Sequence, residues 1–173
     1  MKRLVLTGHG GSGKDHLRSA LQRQGLRVDV SVTTRPPRPD EIDGESYKFI
    51  TRDEFDELVD KDQLYEHVLF NGHGYGTLRT SWETAHVFIM TPEGVHAMSR
   101  RDRRETTVVF LNISEDVRRE RLMLRWDEQD KVDRRITADN AAFEGFNDYD
   151  TMITDPSFNA NTILSVGGCP LMA

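Results

Sequence analysis

The sequence predicts an α/β fold in which a central parallel sheet is covered by helices and interrupted by a small β-rich insertion. Three observations carry this prediction. Short apolar runs at residues 3–7, 86–90 and 106–113 alternate with stretches of helical periodicity, the pattern of strand-helix-strand units. Glycines separate the first run from its helix, and prolines and glycines punctuate residues 35–44. The 173 residues are enough for one domain with a core of its own, and a hydrophobic share of 36% is ordinary for a globular chain.

The elements follow in order. Residues 3–7 read as a strand, and residues 14–24 then place Leu17, Ala20 and Leu21 on one helical face before Gly25 stops the helix. Residues 26–32 alternate and predict a second strand, after which residues 35–39 and Gly44 mark an extended polar loop. Residues 45–50 fit a strand, and Thr51 with Glu54 forms a capping box that opens a helix through Lys61. Residues 64–70, with Tyr75 beyond, predict further short strands. Helix returns over 78–85, a buried strand follows at 86–90, and Thr91-Pro92 supplies the cap and proline of the next helix. Residues 106–113 form a strong β-run, and Ser114 caps a helix over 115–125. A charged stretch at 127–135 interrupts before a helical pattern reaching about Phe146. Residues 151–154 and 162–166 are expected as short edge strands.

With 23 Lys plus Arg against 29 Asp plus Glu, the formal net charge is −6. Such a chain lacks the broad positive field that a nucleic acid polymer or an anionic membrane selects. The basic residues are five lysines and eighteen arginines, and arginine suits local, planar recognition of phosphate or carboxylate. Cys169 is the single cysteine, which excludes an intrachain disulfide and a Cys-based zinc site, and the six histidines show no HExxH-type pairing. The apolar stretch before Gly8 is too short for a signal peptide or a spanning helix, so a soluble, cytoplasmic protein is expected.

Residues 8–14, Gly-His-Gly-Gly-Ser-Gly-Lys, have the spacing G-x-x-x-x-G-K between a predicted strand and a predicted helix. In that context the backbone N–H groups of Gly8, Gly10, Gly11, Ser12 and Gly13 can curl around a polyphosphate, the helix directs its positive end there, and Lys14 reaches the β and γ oxygens. The usual motif continues with Ser or Thr, whose hydroxyl holds Mg²⁺; here Asp15 follows. A carboxylate is also a Mg²⁺ ligand, so Asp15 is the expected metal contact, direct or through water. The alternative is a helix N-terminal acid favoured by the dipole. His9 and His16 read as loop and helix surface, with His16 counted among the expected ATP-binding residues.

Residues 31–47 contain two arginines three apart, Arg35 and Arg38, in a proline-stiffened loop with Tyr47 beyond, a set that can converge on one phosphate group. Here the chain resembles the guanylate kinase family, whose pattern S-x-T-T-R-x-x-R-x-x-E-x-x-G-x-x-Y it matches at every fixed position. The resemblance continues through Glu66 and Tyr75-Gly76-Thr77 and extends from Leu4 to about Asp155. It implies a P-loop kinase fold with core 1–32 and 78–173, a nucleotide-acceptor insertion at about 33–77, and a helical lid at about 125–135. It also implies that Arg35, Arg38, Tyr47 and Tyr75 bind the acceptor phosphate while Ser31, Glu66 and Thr77 face its base. Guanine offers N1–H and N2–H₂ donors that suit Glu66, and its O6 accepts from Thr77. Glu41 either binds the acceptor or orients the two arginines.

The resemblance further makes Arg121, Arg125, Arg134 and Arg135 lid arginines that close over the donor triphosphate. The family's lid pattern R-x-x-G-R-G is not kept, because Met123-Leu124-Arg125-Trp126 lacks both glycines. Aligning Glu93-Gly94 with the family's Q-G places Ile89 and Thr91 where two aspartates are expected, so the metal site is rebuilt and Thr91 makes a weaker contact to the base. Asp155 stands where the family contacts the adenine, and the final helix is expected to be missing or shortened. The implied activity is transfer of the γ-phosphoryl of ATP, with Mg²⁺, to GMP or dGMP. A modified-base deoxynucleotide or ribose bisphosphate acceptor is an alternative. A non-catalytic module binding phosphoprotein through Arg35 and Arg38 is another, and the intact loop at residues 8–14 disfavours it.

Overall fold

The computed structural model describes residues 2–39, 41–125 and 129–167, except for the side chains of residues 125, 129, 130 and 167. β1 (Arg3–Gly8) leads through the glycine loop into α1 (Lys14–Arg23). β2 (Val32–Thr33), β3 (Lys48–Phe49), α2 (Arg52–Asp60), β4 (Leu64–Phe70) and β5 (His73–Leu78) follow, then α3 (Arg79–Thr84) and β6 (Val87–Ile89). Two short helices, α4 (Pro92–His96) and α5 (Arg100–Arg104), precede β7 (Thr106–Leu111). α6 (Glu115–Arg125), α7 (Gln129–Ala142), β8 (Thr151–Ile153) and α8 (Ala160–Gly167) complete the order.

Two four-stranded sheets result. The first, in order β6-β1-β7-β8, is parallel throughout. Its strands are apolar along their length because both faces are covered. Leu4, Leu6, Val109 and Leu111 face α1 and α8, and Val5, Phe88, Val108 and Phe110 face Trp82, Val95 and Phe146. The second sheet, β3-β2-β5-β4, carries α2 through Val32, Phe55 and Leu64. The capping box is formed: the Thr51 hydroxyl accepts from the Glu54 N–H while the Glu54 carboxylate accepts from the Thr51 N–H.

The predicted strand over 26–32 divides between the sheets. Val28 bridges Val87 of the parallel sheet, with Asp29 N–H donating to the Val87 carbonyl at 2.8 Å, whereas Val32 joins β5 of the other sheet. Asp29 and Ser31 therefore lie on the joint between the two. The predicted edge strand over 162–166 is corrected to helix. Asn159 caps α8 by accepting from the Thr162 N–H, and Ala160, Ile163 and Leu164 are buried at helical spacing on the parallel sheet. The charged stretch over 129–135 is also helical, forming the start of α7. No helix among the described residues is long and apolar enough to cross a membrane.

Candidate active site

The glycine loop leaves the C-terminal end of β1, the side of a parallel sheet where ligands bind. Gly11 (φ 78°) and Gly13 (φ 104°) occupy left-handed conformations, and Gly13 delivers the chain into α1. Lys14 folds back beneath the loop and donates to the carbonyls of Gly8 and His9, the latter at 2.9 Å, and lies 3.5 Å from the Ser12 hydroxyl. Burial draws the Lys14 ammonium down to about 8, opposed by the carboxylates of Asp15 and Asp139. His9 is not on the surface as its sequence context suggests. It is 8% exposed, with its ring 4.3 Å from that of Phe143, and burial lowers it to about 4. His16 is exposed.

The acceptor loop lies across from α1. Glu41 accepts from Arg35 Nη2 at 2.7 and 2.9 Å and from the Arg38 N–H at 2.8 Å, with Arg38 Nη1 at 3.4 Å. Burial alone would raise the Glu41 carboxyl, but the hydrogen bonds from Arg35 and the Arg38 backbone hold it below its usual value. Glu41 thus ties the two arginines to one carboxylate. Arg35 also lies over the ring of Tyr47, 5.6 Å from its centroid, and Tyr47 meets Tyr75 edge-on at 6.1 Å. A cavity between this loop and α1 is lined by Asp15, His16, Arg38, Glu41 and Tyr47 among others.

A second cavity joins the loop to the insertion. Its lining includes Gly8, Gly10 and Lys14 from the glycine loop and Ser31, Tyr47, Glu66, Tyr75 and Thr91 from across it. Glu66 is 8% exposed and accepts from the Thr77 hydroxyl at 2.7 Å. Burial lifts its carboxyl to about 7, with nearby Asp29 adding to the rise. Ile89 and Thr91 also line this cavity, where the sequence comparison looked for acids. Thr91 caps α4, its hydroxyl accepting from the Gly94 N–H at 3.2 Å.

The donor face is built by α6 and the segment after β8. Arg121 donates to the carbonyls of Gly11, Ser12 and Pro156 at 3.1–3.2 Å, so it fastens α6 to the phosphate loop. A cavity there is lined by Gly11, Gly13, His16, Arg121, Pro156 and Phe158. Asp155 is exposed, and its carboxylate accepts from the Ser157 N–H at 2.8 Å in a turn leading to Phe158. Arg118 is 3% exposed. Its side chain donates to the Ile113 carbonyl and to Asn140. Arg119 pairs with Glu115 and with Asp133 of α7. The Arg125 side chain lies outside the described residues.

Two residues of this site escape sequence reading. Asp139, 5% exposed, accepts from the Gly10 N–H at 2.7 Å, and Arg135 packs beside it. A side chain at Gly10 would put its Cβ 2.4 Å from the Asp139 carboxylate and 2.8 Å from Arg135 Nε, so only glycine allows this approach. The Arg135–Asp139 spacing of one helical turn was the available signal. The second residue is Phe158, which packs on Gly13 at the donor face. Among the described residues no three His, Cys, Asp or Glu side chains converge into a protein metal cage. Mg²⁺ does not require one, since it is commonly held by one or two carboxylates together with phosphate oxygens and water. Asp15, lining the phosphate-side cavity, fits that mode.

The comparisons agree with this geometry. The guanylate kinase family model matches residues 1–164. A guanylate kinase from Rickettsia bellii is 30% identical over 165 residues, covering 90% of this chain and 86% of that protein. One from Alkalilimnicola ehrlichii is 34% identical over 164 residues, covering 90% and 81%. The crystal structure of guanylate kinase from Anaplasma phagocytophilum superposes with a TM-score of 0.73 at 22% identity, covering 99% of this chain and 87% of that one, which supports the fold. On the family match and the breadth of these alignments, the chain belongs to the guanylate kinase family.

Proposed function

We propose that the protein is an ATP-dependent GMP kinase that moves the γ-phosphoryl of ATP onto GMP or dGMP, giving ADP and the nucleoside diphosphate. One observation carries the reading. A single cavity is lined both by the phosphate loop at Gly8, Gly10 and Lys14 and by the acceptor set at Ser31, Tyr47, Glu66 and Tyr75. The phosphates of two nucleotides, one on the loop and one on the acceptor set, would meet there.

The chemistry asked of the chain is positioning and charge stabilisation. An oxygen of the acceptor phosphate attacks the γ phosphorus, and the bond to the β–γ bridging oxygen breaks. The acceptor phosphate is already anionic, so no general base is needed. Arg35 and Arg38, preset by Glu41, orient the acceptor phosphate. Lys14, now held on the loop carbonyls, turns to the β and γ oxygens. Arg135, whose buried Nε has no hydrogen-bond partner among the described residues, stands by Gly10 to meet the phosphoryl group in flight. Arg125 is assigned the same task by resemblance. Arg121 contributes by fixing the loop, with His16 and Asp155 at the donor face. Asp15 would hold the Mg²⁺ that accompanies ATP, and the ion would supply charge neutralisation to the triphosphate.

A coupled assay of ADP production tests the proposal. GMP-dependent ADP release is expected from the wild type, with a fall of at least about 10³-fold in kcat for Lys14→Ala. ATP consumption unaffected by GMP would refute it.

A further inference from the structure

Asp29 has no counterpart among the expected site residues, yet it is 5% exposed and bonded to Ser31, which lines the cavity. The Ser31 hydroxyl donates to Asp29 Oδ2 at 2.7 Å, and Ser81 and the Val30 N–H also hydrogen-bond the Asp29 carboxyl group. β2 pairs Val32 with Gly76 in antiparallel register, so Ser31, one residue earlier, falls across from Thr77, which pairs with Glu66 on β4. Ser31, Thr77 and Glu66 thus form a row, and the hydroxyl protons of the first two are both committed to carboxylates.

The two commitments differ in how they release. When guanine gives N1–H and N2–H to Glu66, that carboxylate no longer needs the Thr77 proton, and Thr77 can turn to O6. Asp29 receives nothing from the base in exchange. Turning Ser31 toward O6 would take its 2.7 Å hydrogen bond from a buried carboxyl group, and leaving Ser31 in place opposes two acceptors. An amino group at C6 meets neither cost, because its second N–H points where the Ser31 lone pair is.

We infer that Asp29 is a positioning residue for base selectivity. By holding the Ser31 proton it makes Ser31 an acceptor, and so admits purine nucleotides with amino groups at both C2 and C6, the 2,6-diaminopurine monophosphates, beside GMP. The inference rests on the GMP kinase reading of the site. Glu66 is compatible with such a base: its protonated carboxyl donates to the N1 lone pair while its carbonyl oxygen accepts from the C2 amino group. The shift of Glu66 to about 7 makes that form available at neutral pH.

The test is kcat/KM for GMP and for 2,6-diaminopurine ribonucleoside monophosphate, in the wild type, Asp29→Ala, Asp29→Asn, Ser31→Ala and the Asp29→Ala/Ser31→Ala double variant. Asp29→Ala is expected to lower the diaminopurine-to-GMP ratio about tenfold, the effect of one mismatched buried hydrogen bond. Asp29→Asn, whose carbonyl still accepts the Ser31 proton, is expected to keep the wild-type ratio, which a purely structural or charge role would not. In the Ser31→Ala background, Asp29→Ala is expected to leave the ratio unchanged. Should Asp29→Ala fail to fold, Ser31→Ala decides alone, since it must cost diaminopurine turnover more than GMP turnover. The opposite order, an unchanged ratio in Asp29→Ala, or wild-type turnover of GMP with none of the diaminopurine nucleotide overturns the inference and leaves the kinase reading standing. Turnover of neither nucleotide overturns both.

Discussion

Glu66 pays heavily for its place in the site. Its carboxyl is lifted from 4.5 to about 7 by burial, which means that the folded chain holds a proton that the unfolded chain has already lost between those values. Stability therefore falls as pH rises through this window, and the full cost, on the order of 3 kcal/mol, is present above about pH 7. Glu66→Gln keeps an acceptor for Thr77 and removes the charge, so its melting temperature is expected to exceed the wild type's at pH 8 and to approach it at pH 4. An offset that does not change with pH would contradict the burial argument. The same substitution replaces one acceptor oxygen by a donor, so guanine turnover is expected to fall while the fold gains stability. Lys14, Arg35 and Arg38 were legible in the sequence because their spacing is a local pattern, whereas Glu66 was legible only through the family resemblance. Asp29 was not, since residues 26–32 read as plain strand alternation. Its meaning arises only where the chain passes from one sheet to the other.

Among the elements, those specified by near neighbours in sequence were the readable ones. The capping box at Thr51, the Thr91-Pro92 helix start and the glycine loop each draw on residues within a turn of one another. α7 and α8 were less so. The charged start of α7 conceals Val132 and Ile136, which are buried against Leu122 of α6. Asp139 meets Gly10 across 129 residues of sequence, a contact that no local pattern announces. In α8 the pair Ile163-Leu164 mimics a strand until the Asn159 cap is counted. Ile163 is 0% exposed beneath the parallel sheet, so Ile163→Ala is expected to cost about 2–5 kcal/mol, read from chemical denaturation. Exposed Ser165→Ala is expected to change stability by less than about 0.5 kcal/mol. Equal effects would mean that α8 does not pack as described.

At the scale of the whole molecule, the −6 net charge and the eighteen arginines are reconciled by division of labour. Arg35 and Arg38 are gathered by Glu41, Arg135 stands at the phosphate loop, and Arg118 and Arg121 brace α6 against the core and the loop. Others, such as Arg52 and Arg79, close exposed ion pairs that add little to stability. On the proposed function, the parallel sheet supplies the loop for one nucleotide and the second sheet the pocket for the other. The joint at residues 28–32 lets them share a cavity. The central claim is that this cavity reads a guanine through Glu66 while the loop presents ATP. Its most direct test is ADP production across GMP, AMP, CMP and UMP by the wild type and Glu66→Ala. The expected result is turnover of GMP far above AMP, CMP and UMP in the wild type, and a loss in Glu66→Ala of at least about 10²-fold confined to GMP, in keeping with a site whose buried polar groups go unpaired with the wrong base. Equal turnover of all four nucleotides, or a Glu66→Ala enzyme that phosphorylates GMP as well as the wild type, would contradict it.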